Sequence, residues 1–529
     1  MKNSLILIFL IISTKVAFTQ TTQPKEQEGH PSSLSTQESL PFHLIIEIKG
    51  RDLTDNNMTF YFWEHYINAG YKSLPPEIKE LTPKNGSFFS GNIGAKVFHF
   101  TSSEFSKPAL FNLFYESSYL LKDFYAFPGD TVKLIVEKDQ AKAYFVGPNA
   151  AHYQLQQDLD RELQKLIRLK TPVMHGATKE GLLKDDRNRI LYEDAQGNYI
   201  RGLNPLMKFI ANPEDQKTYL LSVKDEIFNL ASLENLILQT YQEVISQQII
   251  QFLHAEYIGK LYFREIASFK RFDATLNPIK QEILNYVKTI ADNNITFKDI
   301  DQAFAFQDLL IELAFGYNLI GVQNAFTFFE QYPSGLKEVL MTRFIGKNFS
   351  SQKQIDYFLN EAKKIATLSW TNQVLDQLIQ SRSIGSKFKE ILLPDEDGVI
   401  NSSTDWEGKV VLIDFWFTGC KACIDYYEKC IKPAEEYFKD DPNVLFVSIN
   451  SDKNESTWLK SLQSERYTSK HATNLFAGQD QGRDLLTYYN INSYPSQLLL
   501  DKDLKIYRSG SFARVPDALK NLIFEALTK

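Results

Sequence analysis

Cysteine is scarce in this chain. Only three occur in 529 residues, all between positions 420 and 430. No web of disulfides can staple such a chain together, so its stability must come from ordinary hydrophobic cores in two or three domains. Positive charge is not concentrated anywhere. With a net charge of -7, no basic cluster and no interleaving of basic with aromatic residues, nucleic acid is excluded as a partner. Long apolar runs are missing too, since the run at positions 5–12 falls well short of the roughly twenty residues that span a bilayer. No internal repeat of fixed length is found, although the succession of helices and turns would tolerate a divergent one.

That short apolar run follows Lys2 and precedes Ser13, Thr14, Ala17 and Thr19, the pattern of a cleavable secretory signal over residues 1–19. A retained membrane anchor is the alternative reading. The absence of cysteine around the cleavage region argues against lipid attachment. The mature protein is therefore expected outside the cytoplasm, in the periplasm or cell envelope.

Residues 20–40, rich in Thr, Gln, Ser, Glu and Pro, read as a disordered linker. Beyond it, residues 42–49, 59–63, 96–101, 110–115 and 131–137 alternate in the strand period. Asn85-Gly86 favours a tight hairpin turn, and Pro128-Gly129-Asp130 marks another turn. Residues 41–147 are thus expected to form an antiparallel β domain. From residue 148 to 383 the period becomes helical, with residues 233–253 and 303–315 as clear examples, and Pro205, Pro213, Pro278 and Pro333 divide the region into several helices. This central α-helical domain reads either as a scaffold or as a substrate clamp.

The most informative motif is Cys420-Lys421-Ala422-Cys423. It stands where an apolar run ending in Asp414-Phe415-Trp416-Phe417 turns into a helix. The first sulfur then lies beside unpaired backbone N–H groups and the positive end of the helix dipole, both of which favour thiolate. One helical turn brings the second sulfur within closing distance, so the pair can alternate between dithiol and disulfide. Half of a zinc site is the competing reading. Zinc needs two further Cys or His ligands, and only Cys430 and His471 are near in sequence, so neither a metal nor another cofactor is expected.

Val410 to Ile413, Asp414 six residues before Cys420, and Tyr494-Pro495 ahead of a further apolar run complete a set of landmarks in a fixed order. Together with Ile384-Gly385-Ser386-Lys387-Phe388, they make residues 384–529 resemble the TlpA/ResA-like thiol-disulfide oxidoreductases of bacterial envelopes. The resemblance implies a C-terminal α/β thioredoxin-like domain. It also makes the segment around Phe127-Pro128-Gly129-Asp130 similar to the β-rich module that precedes the redox domain in Bacteroidetes-type relatives.

Under that resemblance Cys420, at the helix start beside solvent, is the nucleophile and the more shielded Cys423 is the resolving thiol. Asp414 matches a buried carboxyl that acts as acid or base for the second thiol, its pKa raised by apolar surroundings. Many TlpA/ResA-like relatives carry a neutral residue there, and a strand-end aspartate satisfied by backbone is the alternative. Pro495 matches the family's cis-proline. Tyr494 before it either crowds the sulfur or lies passively on the surface. Gly419 allows close approach of a partner chain or simply serves the turn. Trp416 and Phe417 are expected to pack beneath the turn, with substrate contact as the minor reading of both. Lys421 either adds a cation beside the thiolate or is a solvated side chain.

Cys430 lies two helical turns past Cys423, too far for a disulfide with it, and reads as a small buried hydrophobe or as a regulatory thiol. Pro433 stands farther from the motif than the helix-kinking proline of thioredoxins, so the segment 425–429 lengthens the front of the helix. The implied partners are protein thiols or disulfides in the envelope and a membrane electron donor, with reduction the implied direction. A peroxiredoxin-type peroxidase fits poorly, because Thr418 lies two residues from Cys420 where three are needed. An envelope binding or adaptor protein carrying a redox-fold module is the remaining alternative.

Overall fold

The computed structural model describes residues 38–528, apart from the short stretches 69–70, 72–73, 90, 171–172, 177, 200–207, 211, 231–232, 294–299, 349–354, 492, 511 and 513–514. The expected signal segment, most of the linker and Pro205 lie outside the described residues. Among the described residues no helix is long and apolar enough to cross a membrane.

The strand periodicity of the N-terminal region produces two sheets that share one core. The first runs in the order Lys84–Asn85, Lys96–Thr101, His43–Lys49, Thr131–Glu137, Lys142–Val146, and the second Glu77–Leu81, Met58–Trp63, Ala109–Tyr115, Ser118–Ala126. Alternate residues such as Leu44 and Ile46 face inward to meet Phe60, Phe98 and Phe111, as the two-residue strand period requires.

Two expectations need correction here. The sheets are not wholly antiparallel, because His43–Lys49 pairs in parallel with Thr131–Glu137. The chain between these strands leaves to build the second sheet, and such a crossover permits parallel return. Asn85-Gly86 makes no two-residue turn either. A ten-residue loop separates Asn85 from its partner Lys96, and Gly86 is not among the glycines with positive φ, which the tight turn would need. Glycine is required at 86 for close approach, since a Cβ there would lie 1.8 Å from the Asn92 carbonyl oxygen. The turn at Pro128-Gly129-Asp130 forms as expected, with Gly129 at φ +79 and the Asp130 N–H donating to the Phe127 carbonyl. The Asp130 carboxylate then accepts from the Tyr153 hydroxyl at 3.0 Å, fastening the first long helix, Ala150–Leu169, to the sandwich.

The helical region is cut where its caps lie. Pro213 and Pro278 occupy first turns, where a missing N–H costs nothing. The apolar stretch 233–253 is divided between helices Glu234–Tyr241 and Gln247–Ser268. Ser246 makes the break by accepting the Ile249 N–H on its hydroxyl at 3.4 Å, a local bond that competes with helix continuation. The sequence pattern also gave no sign of the short parallel pair Val173–His175 and Lys208–Ile210.

The C-terminal sheet has the order Thr473–Phe476, Val444–Asn450, Val410–Trp416, Ser496–Leu500, Ile506–Gly510. The first three strands are parallel, and Ser496–Leu500 runs antiparallel to both its neighbours, Val410–Trp416 and Ile506–Gly510. Along the central strand Val411, Ile413 and Phe415 pack into one face while Val410 and Leu412 pack into the other. The lead-in around Gly385 and Phe388 runs along the edge strand, with their N–H groups donating to Ile506 and Leu504 carbonyls at 2.8 Å each.

Ser39–Lys529 forms one compact unit, and side chains join its helical and C-terminal parts. Arg382, at the end of helix Ser369–Arg382, donates from Nε to the Tyr489 carbonyl at 2.8 Å and from Nη2 to the Asn490 carbonyl at 3.4 Å. Gln377 donates to the Tyr488 carbonyl at 2.7 Å.

Candidate active site

The central strand ends at Trp416, and the chain turns through Phe417, Thr418 and Gly419 into the helix Lys421–Tyr426. Cys420 is the N-cap of that helix, its Sγ accepting the Cys423 N–H at 3.1 Å. The orphan donors of a helix start thus point at the first sulfur. Cys420 and Cys423 form a disulfide with Cα atoms 5.3 Å apart.

Cys420 does not lie openly beside solvent as expected. It keeps 7% of its surface exposed and Cys423 2%, so both are covered, the first less completely. An aromatic cluster of Trp416, Trp458, Tyr467 and Phe476, with Tyr494 at its margin, accounts for the cover.

The turn is held from beneath. Thr418 donates its N–H to the Asp452 carboxylate at 3.1 Å and its hydroxyl at 2.5 Å. The Gly419 N–H donates to the Tyr467 hydroxyl at 2.8 Å. Gly419 itself is exposed with φ +93 and open space where a Cβ would stand, so the backbone angle rather than crowding selects glycine. Trp416 is fully buried, its ring stacked on Tyr467 at 4.5 Å and its Nε1 donating to the Ser448 hydroxyl at 2.7 Å. Fully buried on a central strand covered on both faces, Trp416 offers a partner chain no surface. The exposed aromatic is Phe417, which meets Tyr494 edge to face at 5.2 Å.

Tyr494-Pro495 is a cis peptide bond, and both residues are half-buried. Tyr494 touches the cluster around the disulfide, so its ring is not a passive surface feature. Lys421 is exposed.

Asp414 lies on the central strand with 5% of its surface exposed. Burial pushes its carboxyl up to about 8, against a smaller lowering by Gln497 and a further rise from the Glu435 charge. Gln497 donates to Asp414 Oδ1 at 2.7 Å. Asp414 and Glu435 line one small cavity of ≈ 10 Å³, room for a single water at most.

Past the motif, the helix does not continue as simple α. Tyr427–Ile431 is a π turn, followed by α-helix Lys432–Phe438. A π turn takes one more residue than an α turn, and here it accommodates the added front of the helix just ahead of Pro433. Cys430 falls within it, fully buried and outside the disulfide. Among the described residues no group of three or more His, Cys, Asp or Glu side chains is placed to hold a metal ion.

Sequence reasoning missed Asp452, Tyr467 and Glu435. The available signal for Asp452 was its place just past a strand parallel to the central one, where loops converge on the site in α/β sheets. Tyr467 and Glu435 carry no local pattern that distinguishes them from other loop and helix residues.

Comparison with known proteins agrees with this geometry. A thioredoxin-like family model matches residues 408–506. Thiol-disulfide oxidoreductase ResA of Geobacillus thermodenitrificans is 25% identical over 124 residues, covering 23% of this chain and 67% of that protein. The ResA of Geobacillus kaustophilus is 25% identical over 121 residues, and there the match spans 65% of the relative's length. Among solved structures, the thioredoxin domain of a thiol-disulfide oxidoreductase from Bacteroides vulgatus is 27% identical, with a TM-score of 0.24 and coverage of 27% of this chain and 96% of that one. Residues 408–506 accordingly match a thioredoxin-like domain, and this part of the chain is similar to ResA thiol-disulfide oxidoreductases.

Proposed function

We propose that this protein is an extracytoplasmic thiol-disulfide oxidoreductase that reduces disulfides of envelope proteins. One observation carries the reading: a Cys420–Cys423 disulfide, with Cys420 capping a helix N-terminus, next to a half-buried Tyr494-Pro495 cis loop. In the dithiol form, Cys420 thiolate attacks a partner disulfide, and one partner sulfur leaves and takes a proton. Asp414 then accepts the Cys423 proton. The Cys423 thiolate attacks Cys420 Sγ, closing the internal disulfide and releasing the second partner thiol. Two electrons pass to the partner, and a membrane electron donor that supplies two electrons and two protons restores the dithiol. The apolar segment at residues 5–12 supports the compartment, and likeness to ResA oxidoreductases supports the chemistry. Gly419, Phe417 and Tyr494 supply the partner-facing surface.

Two variants of the full chain test this. Cys423→Ala should accumulate a mixed disulfide through Cys420 with a disulfide protein such as insulin, and Cys420→Ser should neither trap an adduct nor reduce insulin. Insulin reduction that persists in Cys420→Ser would refute the assignment.

A further inference from the structure

Neither cysteine lines the cavity beside Asp414. Its walls include Tyr427, Glu435, Ser448 and Thr468 beside the apolar Leu412, Ile431 and Phe446, so the buried acid has a second buried acid across a small gap of mixed lining. Glu435 is 7% exposed and its carboxylate accepts the Tyr427 hydroxyl at 3.3 Å. Ser469 also bonds it, and Lys432 on its own helix and His471 on the neighbouring loop act on it as cations. Glu465 faces Tyr427 from the same loop side. Neither carboxyl has an ion-pair partner at contact distance among the described residues, which is costly for two buried acids unless each is neutral for part of its working cycle.

We propose that Glu435 is the second station of the proton path, acting through Asp414 to carry the Cys423 proton to the His471 side of the surface. This rests on the disulfide-exchange reading. Asp414, in the fraction ionised as pH approaches 8, takes the proton from the Cys423 thiol, leaving thiolate and a carboxylic acid. The acid passes that proton across the cavity to the Glu435 carboxylate, and Glu435 gives it to a base in solution, so both carboxylates are regenerated while the sulfurs close. Asp414 is thereby discharged for the next turnover without exposing the disulfide to water.

Glu435→Gln in the full chain keeps the shape and removes the carrier. In the oxidised protein, carboxyl infrared difference spectra, assigned with Asp414→Asn, should show the Asp414 midpoint falling in the variant, because a like charge has gone. In stopped flow, release of the second partner thiol should slow by up to about 10²-fold, the low end for lost acid–base help. Addition of a small carboxylic acid buffer should restore the rate, and Glu435→Asp should recover part of it. A moved midpoint with an unchanged release rate would overturn the relay and leave Glu435 as a mere charge on Asp414. A slowed rate that buffer does not rescue, or no change in either readout, would overturn it as well. Failure of the wild type to reduce insulin would instead remove the exchange reading, while the Asp414 midpoint stays measurable.

Discussion

Gln497 and Asp414 face one another across the two central antiparallel strands, and the Gln497 amide donates to Asp414 Oδ1 at 2.7 Å. A neutral amide cannot offset the loss of water around a buried carboxylate, so the acid stays protonated up to about 8. In the unfolded chain it ionises near 3.8. Folded protein therefore binds a proton that unfolded protein has lost across that window, and stability declines as pH rises from the lower value to the higher. The slope from this group is about 1.4 kcal/mol per pH unit at most. Asp414→Asn should remove that slope and leave a protein more stable than wild type at neutral and alkaline pH. Urea denaturation at a series of pH values checks this, and parallel curves for the two proteins would contradict it.

Asp452 should matter more than its distance from the cysteines in sequence suggests. Its carboxylate accepts the backbone N–H and the hydroxyl of Thr418 and an amide proton of Asn450, so it holds the turn that aims Cys420. Hydrogen bonds to a charged group contribute roughly 1.5–3 kcal/mol. Asp452→Ala is expected to lose about that much stability and, with a looser turn, to change the alkylation rate of Cys420 in the reduced protein. Asp452→Asn, which keeps acceptors, should fall between the two. Urea midpoints and iodoacetamide kinetics supply the two measurements.

How much of this was legible in the chain depended on whether a residue's role is local. Cys420, Cys423 and Asp414 could be placed because a strand running into a helix is written in a few consecutive residues, and Pro495 because only proline adopts cis at small cost. Trp416 packs beneath the turn as expected, and only its minor reading as a substrate contact fails, because it is fully buried; that Phe417 would not pack there was hidden until the turn was seen. Phe417, its neighbour, is the exposed ring. The Asn85-Gly86 pair misled for a related reason: glycine there answers the Asn92 carbonyl, a crowding that involves a loop and not a turn type. Glu435 and Tyr467 were invisible because what they meet, the cavity beside Asp414 and the Gly419 N–H, is built from distant segments. The edge strand Thr473–Phe476 is only four residues long, too short for alternation to show.

Arg382 should act as the clasp between the helical region and the redox domain. Its guanidinium is buried and donates to the carbonyls of Tyr489, the cap of the helix Asp480–Tyr488, and of Asn490 just beyond it, where positive charge suits the dipole. The next residues lead to the cis Tyr494-Pro495 loop. Arg382→Met would leave those carbonyls dry and unpaired at about 1–3 kcal/mol, whereas Arg382→Lys, with a point charge and no fork, should recover only part. Limited proteolysis should then cut sooner between residues 383 and 390 in Arg382→Met. Equal cleavage rates in variant and wild type would show that the clasp is dispensable.

The aromatic pair beside the disulfide should govern partner affinity rather than sulfur chemistry. Phe417 retains 38% of its surface and its ring meets Tyr494 at 5.2 Å, so a protein substrate reaching Cys420 must lie on the two rings. A small disulfide need not. Truncating an aromatic anchor at such a contact costs about 1–2 kcal/mol, roughly tenfold in apparent affinity. Phe417→Ser should therefore raise KM for insulin about tenfold, with kcat little changed, and leave the rate with a small aromatic disulfide as it was. Tyr494→Thr should differ, because Tyr494 also borders the cluster that covers Cys420: the small disulfide should react faster as cover is removed, while KM for insulin rises. A Phe417→Ser enzyme slowed equally toward both substrates would place Phe417 in the turn's framework instead of on the binding surface.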